Sequence, residues 1–166
     1  MNNLIQVIKY EGNNDAIIWK SPVEDFNTGT QLIVHESQEA LFFMNGQALD
    51  LFGAGRYTLE TQNMPLVRKL YEKPAGDKTP YACSVYFINK AEHMALKWGT
   101  DSLVDYMEPT YNFLLKIGAS GQMSLRADDS RKLLIKLLGM EKSLTRESLI
   151  AMFRSVLMSR VKPLIA

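Results

Sequence analysis

Few side chains in this sequence are of kinds that do chemistry, and their spacing keeps them apart. The histidines are His35 and His93, and the one cysteine is Cys83. A metal site needs clustered ligands, yet no Cys-x-x-Cys or His-Glu-x-x-His occurs. A mixed site of histidine and carboxylate would have to be assembled from distant strands, and no ligand spacing announces one. His35-Glu36-Ser37 has the residue types of an acyl-transfer triad. On a strand, however, Glu36 would face away from the other two, and no Gly-x-Ser-x-Gly elbow accompanies them. The triplet reads as a polar strand end entering a turn. Gly53-Ala54-Gly55 opens like a dinucleotide fingerprint, but Thr58 stands where the third glycine belongs. Residues 56–59 alternate like a strand, whereas a phosphate cradle needs a helix N-terminus. The carboxylate pairs Glu24/Asp25 and Asp128/Asp129 are adjacent in sequence, while catalytic carboxylates usually come from separate elements facing one cleft. Asp128 and Asp129 read as helix caps. The expectation is no catalytic, cofactor or metal site, and no enzyme.

The elements that would carry these residues change character along the chain. Leu4, Ile5, Val7 and Ile8 form one short strand, and Ala16-Ile17-Ile18-Trp19 another, around turn formers at 11–15. Leu32-Ile33-Val34, Glu39 to Met44, Gln47 to Leu51 and Arg56 to Leu59 predict a tight antiparallel meander. It is pinned at Asn45-Gly46, whose type I′ turn needs positive φ at both residues, and bent at Gly53-Ala54-Gly55. Met64 to Tyr71 reads as a short helix with Pro65 in its first turn. Residues 73–78 read as a surface loop. Strands are predicted at 81–89 and 93–98, and a strand pair at 111–125 with 118–121 as its turn or bulge.

After residue 127 the period becomes helical. Asp128-Asp129-Ser130 offers caps and Gly139 a stop, with Leu133, Leu134, Ile135, Leu137 and Leu138 between them. A second helix begins near Thr145, with Glu147 in its first turn, and Pro163 should end or bend it. Leu149, Ile150, Phe153, Val156, Leu157 and Val161 share one helical arc. Arg160 lies inside that arc. A buried unpaired guanidinium is very costly. The plain reading is an amphipathic helix packed on the sheet with Arg160 reaching solvent. The sharper one has Arg160 meeting an acidic neighbour or lipid phosphate. Arg154, Arg160 and Lys162 are the candidate contacts for a partner or lipid.

The fold class is α+β, an antiparallel-rich curved sheet followed by C-terminal helices. It is read as one domain over 1–166, sheet-rich over 1–126 and helical over 127–166. Hydrophobic residues make up 46% of the 166, enough for a core without disulfide or metal staples. Cys83 sits in the apolar stretch Tyr81 to Ile88 and reads as a small buried strand residue. A single thiol fits a reducing compartment. No secretory leader is visible, and no strictly apolar run exceeds the five residues of Ala40–Met44, against roughly 18 needed to span a bilayer. Net charge is +1, unevenly spread: residues 1–129 hold 11 Lys+Arg against 16 Asp+Glu, and residues 130–166 hold eight against two. An acidic body with a basic tail suggests nucleic acid, anionic lipid or a neighbouring acidic body as the tail's partner. Aromatics are not interleaved with the basic residues, so nucleic acid is not expected.

Four stretches in order carry a family resemblance. They are Leu32-Ile33-Val34-His35-Glu36-Ser37-Gln38-Glu39-Ala40, Phe52-Gly53-Ala54-Gly55-Arg56-Tyr57-Thr58-Leu59, Val85-Tyr86-Phe87-Ile88-Asn89 and Leu96-Lys97-Trp98-Gly99-Thr100. Together they resemble the bacterial SPFH (band-7, prohibitin-homology) proteins labelled virion-core-protein-like, relatives of stomatins, prohibitins and flotillins. Gly53-Ala54-Gly55 departs from the family's frequent Gly-Pro-Gly. Members commonly continue into a helical segment and a zinc ribbon not seen here, so the resemblance implies a fragment of a longer protein. It also implies a non-catalytic scaffold that forms large homo-oligomers, organises other proteins at membranes and shares no catalytic residues with its relatives. The resulting expectation is an oligomerising scaffold in the cytoplasm, peripheral at the inner membrane face. The alternative is a viral or phage-like structural protein.

Overall fold

A computed structural model describes residues 5–13, 15–60, 63–71, 81–91, 93–137 and 143–165. The N-terminal half supplies β1 (Val7–Lys9), β2 (Ala16–Lys20), β3 (Asp25–Phe26), β4 (Gln31–Val34), β5 (Gln38–Met44), β6 (Gln47–Phe52), β7 (Gly55–Thr58) and α1 (Pro65–Tyr71). Then come β8 (Tyr81–Ala82), β9 (Ser84–Asn89), β10 (His93–Gly99), β11 (Val104–Met107), β12 (Leu114–Ile117) and β13 (Ser120–Leu125). The chain closes with α2 (Ser130–Leu137), β14 (Ser143–Thr145) and α3 (Arg146–Ile165). The architecture is α+β, sheet-rich first and helical last. It divides into two compact units, Met1–Ala91 with Ala127–Leu144, and Glu92–Arg126 with Thr145–Ala166.

In the first unit β5 is the central strand. It pairs antiparallel with β6 on one edge and with β9 on the other, inside a sheet of order β14-β2-β9-β5-β6. Both hydrogen-bonding edges of β5 are thereby used, so β4 must find a partner elsewhere. It does so in a separate sheet, pairing parallel with β1 and antiparallel with β7. This corrects the expected meander. The Asn45-Gly46 hairpin forms, with φ of 51° and 78° at its two central residues. The strands at 31–34 and 55–58, however, belong to a second sheet, and the chain leaves that sheet at 35–37 and returns at 53–55. The first two strands also exist but do not pair with each other; β2 pairs with β9.

The core joins these two sheets. Phe42 of β5 stacks on Phe26 at 5.4 Å and meets Phe52 edge-on at 5.3 Å, and Phe52 in turn meets Tyr57 at 5.0 Å. Leu32, Leu59, Met64, Val67 and Val85 fill the space around them, all fully buried. A shift in register between Leu41 and Phe43 inserts an extra residue in β6, and Leu49 and Asp50 are then both buried. Asp50 uses this position. Its carboxylate accepts the Leu66 and Val67 N–H groups at 3.2 and 2.8 Å. Met64, the residue before α1, has no side-chain oxygen to cap the helix, so β6 supplies the cap.

In α2, Asp129 is the cap that the sequence predicts. Its Oδ1 accepts the Lys132 N–H at 3.0 Å, and Ser130 donates to Glu39 on β5. The loop expected at 73–78 and the stop at Gly139 lie outside the described residues.

The second unit holds two narrow antiparallel ribbons, β10–β13 and β11–β12. The expected strand pair over 111–125 is therefore corrected. Its two strands form, but each pairs with an earlier one, because a two-residue link at Gly118-Ala119 passes the chain from one ribbon to the other. A lone two-stranded ribbon is marginal in water, and here α3 packs on both β10 and β11.

The glycine bend separates two roles. Gly55 has φ of 145°, which side-chain-bearing residues rarely adopt, whereas Gly53 has no positive φ and a Cβ there would meet nothing within 4 Å. We expect Gly55→Ala to cost about 1–3 kcal/mol and Gly53→Ala to stay within about 0.5 kcal/mol. Chemical denaturation of the two variants checks this; equal losses would contradict it.

Candidate functional site

The structure places most of the residues suspected of chemistry apart and buries Cys83. His35, Glu36 and Ser37 are exposed in the turn after β4, where the Gln38 N–H closes on the His35 carbonyl at 3.0 Å. His93 begins β10, in the other unit. Glu24, Asp25 and Cys83 do converge, which spacing in sequence does not suggest. With Phe43, Met44, Asn45 and Ser84 they line an open hollow of about 280 Å³. Nucleophilic chemistry there would need a thiolate and a base. Cys83 is only 4% exposed, and burial, aided by the negative charge of Asp50, pushes its thiol up to about 12. No histidine lines the hollow, and Glu24 is taken by Lys20. Among the described residues, no three His, Cys, Asp or Glu side chains gather as a metal ion requires.

What stands out instead is apolar surface on the second unit. In α3 the Thr145 hydroxyl accepts the Ser148 N–H at 3.3 Å and starts the helix. Met158 is buried, Leu157 and Val161 are half-buried, and Lys162 reaches Asp101 at 2.8 Å and the Ser102 hydroxyl at 3.0 Å. Lys162 thereby holds the Asp101 carboxyl below its usual range. Phe153, Val156 and Leu164 are exposed, Leu164 to 85%. The single apolar arc read from the sequence is thus corrected. Apolar residues occupy more than one side of α3, and the ribbons cover only the side of Met158 and Lys162. Arg154 and Arg160 are exposed, and neither has an ion-pair partner among the described residues. Pro163 does not end the helix, which runs to Ile165. So close to the end, few backbone bonds remain for it to break.

The β11–β12 ribbon presents a second apolar surface. Cross-strand register sets Val104 opposite Ile117 and Tyr106 opposite Leu115 on one face, and Asp105 opposite Lys116 and Met107 opposite Leu114 on the other. All four residues of that other face are exposed, and Tyr111 and Phe113 extend the surface over the tip, Tyr111 to 79%. The tip is a closed turn. Glu108 N–H donates to the Phe113 carbonyl at 3.0 Å, and Asn112 N–H to the Glu108 carbonyl at 2.9 Å. Asn112 adopts a φ of 56°. The Glu108 carboxylate accepts the Tyr111 N–H at 2.6 Å, and that bond holds Glu108 below the usual glutamate range. Aromatic side chains are thus held out in water on a fixed backbone. In the sequence, Glu108-Pro109 reads only as a break between strands. The signal that could have found this surface was the density of Tyr106, Met107, Tyr111, Phe113 and Leu114 around it.

Residues 18–166, which include this ribbon and α3, match the family described as SPFH domain-Band 7. The chain is similar to the uncharacterized protein YdjI of Bacillus subtilis (strain 168), 25% identical over 142 residues that cover 84% of this chain and 44% of that protein. The chain therefore spans less than half the length of this curated relative. No solved structure matches.

The placement of Cys83 and Glu108 leads to two expected outcomes. Cys83 should resist iodoacetamide at neutral pH in the folded protein and react once denatured; labelling followed by mass measurement checks it. Glu108 has a depressed folded value, so its bond to Tyr111 is intact above the ordinary glutamate value of 4.5 and is lost as pH falls through the lower folded value. The Tyr111 amide resonance should titrate with a midpoint below 4.5, and Glu108→Gln should abolish that titration.

Proposed function

The chain belongs to the SPFH domain-Band 7 family, and on that premise we propose that it is an oligomerising scaffold without catalytic activity, which organises other proteins at the cytoplasmic face of a membrane. The family is a membrane-associated, scaffold-type one whose members are generally non-enzymatic. The observation that carries the reading for this chain is the solvent-facing apolar surface of the second unit, on a closed ribbon tip and along α3. Contiguous exposed apolar surface of this kind marks interaction sites. Arg154 and Arg160 supply positive charge beside it, suited to an acidic neighbour or anionic headgroups, while Lys162 has Asp101 as its partner. Among the described residues no helix is long and apolar enough to cross a membrane, so the proposed membrane contact is peripheral. The finer likeness to virion-core-protein-like members rests on the four sequence stretches, and a viral or phage-like structural role predicts the same assembly. Nucleic acid is not among the proposed partners.

Light scattering over a range of protein and salt concentrations tests the proposal. The average mass should rise with protein concentration at low salt and fall as salt screens the charged contacts. A single-copy mass at the highest concentration and lowest salt would contradict it.

A further inference from the structure

Two exposed apolar surfaces in one compact unit carry opposite charge. On α3, Phe153, Val156, Arg160 and Leu164 fall within about 80° of one another around the helix axis at 100° per residue. They form one stripe, with Arg160 inside it. On the ribbon, Met107, Leu114, Tyr111 and Phe113 form the apolar end, and Asp105 and Glu108 flank Met107. Lys116 stands across from Asp105, so the ribbon's negative charge is concentrated toward the tip, at Glu108. Charge complementarity therefore favours ribbon tip against helix stripe over either surface against itself.

The two surfaces of one copy cannot meet. Lys162 ties α3 to Asp101 and Ser102 at the base of the ribbon. On the helix, Lys162 points about 180° away from Phe153, the opposite side from the stripe. The ribbon is anchored on one side of α3 and the stripe faces away on the other. A contact between two different surfaces that face different ways is heterologous, and it propagates into a ring or filament.

We propose that the β11–β12 tip of one copy docks on the Phe153–Leu164 stripe of α3 in the next, so that a second copy of this chain is the occupant of both surfaces. The inference rests on the scaffold reading and assigns that assembly a specific pair of surfaces. Arg160 meets Asp105 or Glu108 across the contact, and Tyr111 and Phe113 pack on Phe153 and Val156. The tip suits this role because its backbone N–H groups at 108, 111 and 112 are already satisfied internally, so covering them orphans no donor.

Sedimentation velocity on two variants of the 166-residue chain tests it. One has a disabled tip (Tyr111→Ser with Phe113→Ser) and the other a disabled stripe (Phe153→Ser with Arg160→Glu); all four positions are exposed. Each variant alone should need about tenfold or more protein to assemble. An equal mixture should form a two-copy species that grows no further, because one intact tip meets one intact stripe. As a second arm, Asp105→Arg and Arg160→Asp should each weaken assembly and together restore it. Unchanged assembly of either disabled variant overturns the proposal and leaves the scaffold reading standing, and so does a mixture with no two-copy species. If the unaltered chain never assembles, the scaffold reading falls and this inference falls with it. If the tip variant assembles normally but no longer floats with phosphatidylglycerol–phosphatidylcholine vesicles, the tip belongs to a bilayer, and the proposal is overturned in that way.

Discussion

Phe42, packed between Phe26 and Phe52 in the first unit, is the contact on which the rest of that unit depends. It lies on β5, whose two edges are both occupied, so its backbone is fixed by β6 on one side and β9 on the other. The aromatic run then reaches Phe52 and Tyr57, across the point where the chain changes sheet. Such ring pairs contribute about 0.5–1.5 kcal/mol each beyond their burial. They also set the direction in which the second sheet can lie, because edge-on and stacked geometries cannot be interchanged without a void.

Asp50 shows how one irregularity can serve two elements. The extra residue in β6 buries Leu49 and Asp50 side by side. The first adds to the core and the second satisfies the start of α1. A buried carboxylate without such donors would be costly. The helix, in turn, has no capping side chain of its own. Each compensates for what the other lacks, and neither is intelligible from its own segment.

The second unit is built with much less. Among the described residues, two ribbons and one helix give it few fully buried side chains, and many large apolar residues remain in water. The charge pattern also changes when it is counted in space. By compact unit the chain holds 12 Lys+Arg with 13 Asp+Glu in the first and 7 with 5 in the second. The acidic body and basic tail of the linear sequence are largely merged, as α2 joins the first unit and Lys162 meets Asp101. What persists is local: Arg160 on the outer side of α3, and carboxylates near the ribbon tip.

Local rules were sufficient where a single segment carries its own reason. Asn45-Gly46 demanded the hairpin, Asp129 and Thr145 the starts of α2 and α3, and Pro65 the first turn of α1. The run of strand patterns followed by helical periodicity pointed to the α+β architecture. Pairing was a different matter. A strand's partner depends on which edges remain open, so only the tertiary structure sent β4 to β7, β12 to β11 and β13 to β10. The same holds for α3. Helical periodicity marked Phe153, Val156 and Leu157 as an apolar arc, but burial depends on what lies opposite. Once the ribbons had covered the Met158 side, Phe153, Val156 and Arg160 were left facing water.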